Sequence, residues 1–136
     1  MPSHTMTNAA AQKLLRYIHL ELARDHDHPA GSAQHRYEFV APLDADGHVD
    51  AEAWKHTRER CRVKRVGGDE PPEAGHLVHK PGGSWAFHYD VHGDPNNDDA
   101  GYRFNEHKFA PGEYVSIKEQ DGSLRTFLVK AVVDLD

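Results

Sequence analysis

With a single cysteine in its 136 residues, the chain has no internal disulfide and no multi-cysteine metal site. Cys61 therefore reads as a packed thiol in a reducing compartment, and a cytoplasmic location is expected. No run approaches the roughly 20 apolar residues of a membrane span, and no basic start followed by an apolar stretch marks a secretory signal. Association with a membrane is not expected. The G-x-S-x-G elbow, the phosphate loop, the dinucleotide fingerprint and H-E-x-x-H are all absent, so the reading leans away from an enzyme. Sixteen basic residues against 22 acidic ones give a net charge of -6, which disfavours broad capture of nucleic acid or anionic lipid.

Twelve histidines make the chain histidine-rich, and protonating all of them would move the formal charge from -6 to +6. Thr7 is placed to cap a helix running to about Asp25, because Ala11, Leu14, Leu15, Ile18 and Leu22 recur at three- and four-residue intervals. Residues 1–6 read as a loose leader, and His28-Pro29-Ala30-Gly31-Ser32 as a linker. The expected organisation is thus a leader, helix and linker over 1–33, followed by one β-rich domain over 34–136 that folds without them.

Within that domain His35 to Val40 alternates as a strand. Asp50 caps a second helix at about 50–60, with Val49 spaced to touch Trp54 as a hydrophobic staple. Cys61 to Val66 leaves that helix as a strand. Pro81-Gly82-Gly83 is a three-residue hairpin loop, which pairs Lys80 with Ser84 and therefore His76 with His88. That register puts Leu77, His79, Trp85, Phe87 and Tyr89 on one face. The same device around Gln120-Asp121-Gly122 sets Val115 opposite Phe127 and makes Val115, Ile117, Phe127 and Val129 core. Residues 94–99 form an acidic loop expected to be mobile, with a short strand at Tyr102 to Phe104. The expected fold is α+β: a small, strongly curved antiparallel sheet or barrel of six or seven short strands, with an N-terminal helix and a second helix inserted between strands.

The expected function is that of a small soluble binding or interaction module, monomeric or homodimeric, for a protein or a small anionic ligand. Trp54, Trp85, Phe87 and Tyr89 are its candidate partner-binding anchors, although core packing is the commoner role of such residues. A nucleic-acid- or anion-binding alternative rests on Lys55, Arg58, Arg62 and Lys64. The segment 55–65 carries +5, leaving -11 on the rest of the chain. A metal-binding alternative rests on His76 and His88, which could reach one zinc or nickel ion although no third ligand is fixed by spacing. No cofactor is otherwise expected. Asp25-His26-Asp27-His28 reads as a helix exit, and Asp44-Ala45-Asp46-Gly47 as a turn whose likeness to a calcium loop fails at Pro42 and Ala53.

Overall fold

A computed structural model describes residues 6–25, 28–67, 70–90, 98–102, 104 and 106–135. The leader residues 1–5, His26 and Asp27 of the expected helix exit, and 94–97 of the acidic loop fall outside that set. Eight antiparallel strands close into a barrel: β1 Leu15–Leu22, β2 Ser32–Pro42, β3 Arg62–Gly67, β4 Glu73–His79, β5 Trp85–Tyr89, β6 Asp99–Tyr102, β7 Tyr114–Lys118 and β8 Leu124–Asp134. Each strand pairs with the next in sequence, and β8 returns to pair with β1. Closure leaves no sheet edge to template aggregation. Two short helices, α1 Asn8–Lys13 and α2 Ala51–Thr57, the latter continued by a 3-10 turn at Arg58–Arg60, complete the described elements. No helix among the described residues is long and apolar enough to cross a membrane.

The largest correction concerns the N-terminal helix. Thr7 does cap it, accepting from the Ala10 amide at 3.0 Å, but it stops at Lys13 and the chain becomes β1. The positions that suggested one helical stripe include Ile18 and Leu22, which also belong to a period of two. Leu20 decides between the readings: it lies off the helical stripe, yet it is fully buried between Ile18 and Leu22. The register shifts at His19/Leu20 against β8 and at Glu21/Leu22 against β2 put their extra residues in the partner strands, so Ile18, Leu20 and Leu22 keep a strict alternation. Pairing on both sides makes β1 integral to the barrel. The boundary drawn at 33/34 falls inside β2, which begins at Ser32 within the expected linker.

The hairpin registers are as expected. His76 pairs with His88, Leu77 with Phe87 and His79 with Trp85. Val115 pairs with Phe127, and Val115, Ile117, Phe127 and Val129 are buried. Gly83 takes φ +94°, the left-handed conformation that ends its three-residue loop. The sixth strand lies a few residues earlier than expected, at Asp99–Tyr102. Its first residue, assigned to a mobile acidic loop, is fully buried.

Aromatic rings fill the barrel. Tyr37 stacks on Phe87 at 5.3 Å, Phe39 meets Phe87 edge-on at 5.0 Å, and Phe104 meets Phe109 at 5.2 Å. An eight-stranded barrel is just wide enough for side chains to fill its interior, and this one is packed in that way. One end is sealed by the helices. Asp50 caps α2 through the Ala53 amide at 3.0 Å, and Trp54 is anchored by its Nε1, which donates to the Leu77 carbonyl at 3.0 Å. The opposite end, where β1, β3, β5 and β7 finish and β2, β4, β6 and β8 begin, is closed by polar side chains instead.

Candidate functional site

At that polar mouth, inward-facing charged residues from several strands converge. Along β2 the inward parity runs His35, Tyr37, Phe39; along β3 it runs Val63, Arg65; β7 carries Val115 and Ile117 on to Glu119; and β8 begins with Arg125 before Phe127 and Val129. Each strand is apolar along its inner face until its last inward position, which is ionisable. This was the missed signal: a charged residue continuing an apolar parity at the same barrel end on four strands. Asp99, the first residue of β6, and Tyr89, the last of β5, complete the set.

The contacts are short and the burial is deep. Tyr89 Oη donates to Asp99 Oδ2 at 2.6 Å. Tyr37 Oη lies 2.8 Å from the same oxygen and 2.6 Å from Glu119 Oε2, so its single proton serves one carboxylate at a time. Arg65 bridges the pair, with Nε 3.2 Å from Asp99 Oδ2 and Nη2 3.2 Å from Glu119 Oε2. His35 Nε2 donates to Glu119 Oε2 at 2.8 Å, and Arg125 Nε lies 2.9 Å from Glu119 Oε1. The side chains of Asp99, Glu119 and Arg65 are 0%, 3% and 11% exposed. Two tyrosine hydroxyls and the Arg65 guanidinium thus crowd Asp99 Oδ2. Asp99 Oδ1 is buried with no donor among the described residues.

This environment moves the titrations of both carboxyls and both tyrosines. Burial drives the Asp99 carboxyl above its ordinary range, against the opposing pull of Tyr89, Tyr37 and Arg65. Burial also pushes Glu119 upward, but hydrogen bonds from His35 and Tyr37 and the charges of His35 and Arg65 more than reverse this and hold it at about 2. Both tyrosine hydroxyls are raised well above 10, first by burial, then for Tyr37 by Tyr89 and the two carboxyls and for Tyr89 by Asp99.

The two carboxylates oppose each other in acid. Glu119 remains ionised in the fold down to about 2 but only to about 4.5 when unfolded. Its contribution is therefore complete above about pH 4.5 and lost as pH falls from there towards 2. Asp99 has the opposite sign, because its raised value makes ionisation cost stability as pH rises through its ordinary range. Urea denaturation between pH 5 and pH 2 should show a steep loss in the wild type and a shallower one in Glu119→Gln, the difference being on the order of 3 kcal/mol. Parallel pH profiles for the two proteins would remove Glu119 as the source of the acid lability.

The expected site residues fall elsewhere. Trp54, Trp85, Phe87 and Tyr89 do not come together as a surface. Trp85, Phe87 and Tyr89 are 2% exposed or less inside the barrel, and Trp54 is 8% exposed beneath the 3-10 turn. Lys55, Arg58, Arg62 and Lys64 do lie on the outside. Lys55 is 3.7 Å from Glu52, Arg58 covers the Trp54 ring at 5.0 Å, and Arg62 Nη2 donates to Asp90 Oδ2 at 2.7 Å. Arg65, counted in the same basic segment, turns inward to the mouth.

His76 and His88 face each other on the outer surface as their register requires, each held by a carboxylate. His76 Nδ1 is 3.1 Å from Asp90 Oδ1 and its Nε2 is 2.5 Å from Arg62 Nη1, so both ring nitrogens are engaged. His88 Nδ1 is 2.7 Å from Asp98 Oδ1. A metal at this pair would have to displace these partners. Asp44, Asp46 and His48 bring three potential ligand atoms within 4.8 Å of one another. Asp44 Oδ1, however, accepts from the amides of Asp46 at 2.9 Å and His48 at 3.0 Å, which is the work of a turn. Cys61 is buried, with Sγ donating to the Thr57 carbonyl at 3.4 Å, and burial pushes the thiol up to about 11.

No protein-family profile, curated protein or solved structure matches the chain.

Proposed function

We propose that the protein is a binding barrel whose polar mouth takes up a small molecule bearing an amine or amidine group. The observation that carries this reading is Asp99 Oδ1, a fully buried acceptor with no donor among the described residues, inside a network in which Asp99 Oδ2 and Glu119 Oε2 are closely engaged. Barrel mouths are recurrent ligand sites, and clustered perturbed titrations support the same location.

The open acceptor sets the ligand class. Around it Asp99 and Glu119 are matched by Arg65, Arg125 and His35, and Glu70 stands 3.8 Å from Arg65 at the rim. An entering cation that donates hydrogen bonds finds an acceptor in Asp99 Oδ1, whereas a carboxylate would set a second acceptor against it. Entry passes the weakest contact of the cluster, the 3.8 Å pair of Arg65 Nη1 with Glu70, whose side chain is 72% exposed.

Thermal melts with acetamidine, benzamidine, putrescine, acetate and benzoate test the reading. Cations should raise the melting temperature in a saturable way and the carboxylates should not. In Asp99→Asn, which places an amide in the same space, the cation affinity should fall by about tenfold or more. Equal stabilisation by benzoate and benzamidine, or an Asp99→Asn variant that responds like the wild type, would contradict it.

A further inference from the structure

On the outside of the barrel, between the Arg58–Arg60 turn and β4, Trp54, Arg58, Glu59, His76, Leu77 and Val78 line a cavity of about 350 Å³. Its floor is apolar, formed by Trp54, Leu77 and Val78. Its surroundings are net basic: Lys55, Arg58, Arg60, Arg62 and Lys64 are all exposed on the chain that frames it, against Glu59 in the lining, Glu52 at 3.7 Å from Lys55 and Asp90 at 2.7 Å from Arg62. With Arg65 turned into the mouth, residues 55–64 carry five cations and one acid, Glu59, for a charge of +4. The remaining chain carries -6 minus 4, or -10.

We infer that this pocket docks an acidic peptide segment by taking one bulky aliphatic side chain onto Trp54 and Val78 while the flanking carboxylates pair with Arg58 and Arg60. Charge complementarity selects the class of partner, and the apolar floor selects the anchor. Arg60 has no ion pair with a described residue, and Arg58 has only the Trp54 ring, so both can accept a partner without losing one.

A nucleic acid fits less well. The Arg58 guanidinium sits 5.0 Å above the Trp54 ring and Trp85 meets that ring edge-on at 5.6 Å, so Trp54, 8% exposed, offers the cavity an edge beside Val78 for an aliphatic group but no free face for stacking a base. The -10 outside the segment also repels a long polyanion more than a short peptide. This inference is independent of the mouth, which lies at the other end of the barrel.

Fluorescence anisotropy with the full chain provides the test. The probe is a fluorescein-labelled peptide of about ten Asp and Glu residues with one central Leu; the comparisons are the same peptide with Ser at the centre and an oligouridine of similar length. Saturable binding of the Leu peptide should weaken by about tenfold with the Ser peptide, and by a similar factor in the Arg58→Glu/Arg60→Glu protein. It should also fall between about 50 and about 500 mM salt. Circular dichroism of the double variant checks its fold, and Val78→Asp supplies an independent disruption of the floor. Equal affinity for the Leu and Ser peptides, tighter binding of the oligouridine, or no saturable binding at millimolar peptide would overturn the inference.

Discussion

Removing residues 1–33 should abolish cooperative folding altogether. The deletion takes away β1, which hydrogen-bonds to β2 on one side and β8 on the other, and leaves two strand edges unpaired across an opened barrel. It also removes the buried side chains of Leu15, Ile18, Leu20 and Leu22 from one continuous core. At about 1.5 to 3 kcal/mol for each fully buried side chain, the loss is about 6 to 12 kcal/mol, comparable to the whole stability of an ordinary domain. Far-ultraviolet circular dichroism of the truncated chain should therefore lack a cooperative urea transition. A subtler version separates the strand from the helix that the spacing suggested. Leu20→Ala should cost about 2 to 5 kcal/mol in the strand, but little at an exposed helical position. A cooperatively folded truncation product, or a cost below about 0.5 kcal/mol for Leu20→Ala, would place β1 outside the core.

The second large effect is expected at Arg65. Arg65→Met keeps most of the side-chain volume but removes the only guanidinium among the described residues that touches both Asp99 and Glu119. Two buried acids are then left with tyrosine hydroxyls, His35 and the offset Arg125 for company. Breaking a buried pair by deleting one partner costs about 3 to 5 kcal/mol, because the desolvation of the other charge is no longer offset. Adding Asp99→Asn should recover part of that loss, since the orphaned charge goes with it, and the double-mutant cycle should therefore be non-additive. Lys64→Met, one residue away but on the outer face, should change stability by less than about 0.5 kcal/mol. Equal effects at positions 64 and 65 would mean that the mouth is solvated and that its ion pairs are ordinary surface pairs.

Much of the fold was legible because local chemistry dictated it. The three-residue loop at Pro81-Gly82-Gly83 fixed a register that paired His76 with His88 and turned Leu77 and Phe87 inward. The Asp50 cap and the Val49/Trp54 spacing located α2. β1 was misread because Ile18 and Leu22 satisfy both the helical and the strand periods, while Leu15 and Ile18, both buried, stand three apart as a helix would place them. Only Leu20, and the partners β2 and β8, decide the matter, and those partners are distant in sequence.

The mouth cluster was hidden for a related reason. His35, Arg65, Asp99, Glu119 and Arg125 come from five strands or strand ends, and each looks alone like a polar residue at the margin of a strand. Asp99 in particular sat at the end of a run of acids that reads as a solvated loop. The aromatic anchors suffered the opposite error, since Trp85, Phe87 and Tyr89 were conspicuous in sequence because they build the core.

The most direct test of the mouth as a ligand site is a titration of the uniformly nitrogen-15-labelled full chain with benzamidine, following the Arg65 Nε–H resonance and the amides of Tyr89 and Glu119. The account predicts saturable shifts of all three with one common affinity, lost in Asp99→Asn while the rest of the spectrum keeps its dispersion. Shifts confined to residues away from the mouth, or identical titrations of the wild type and Asp99→Asn, would contradict it.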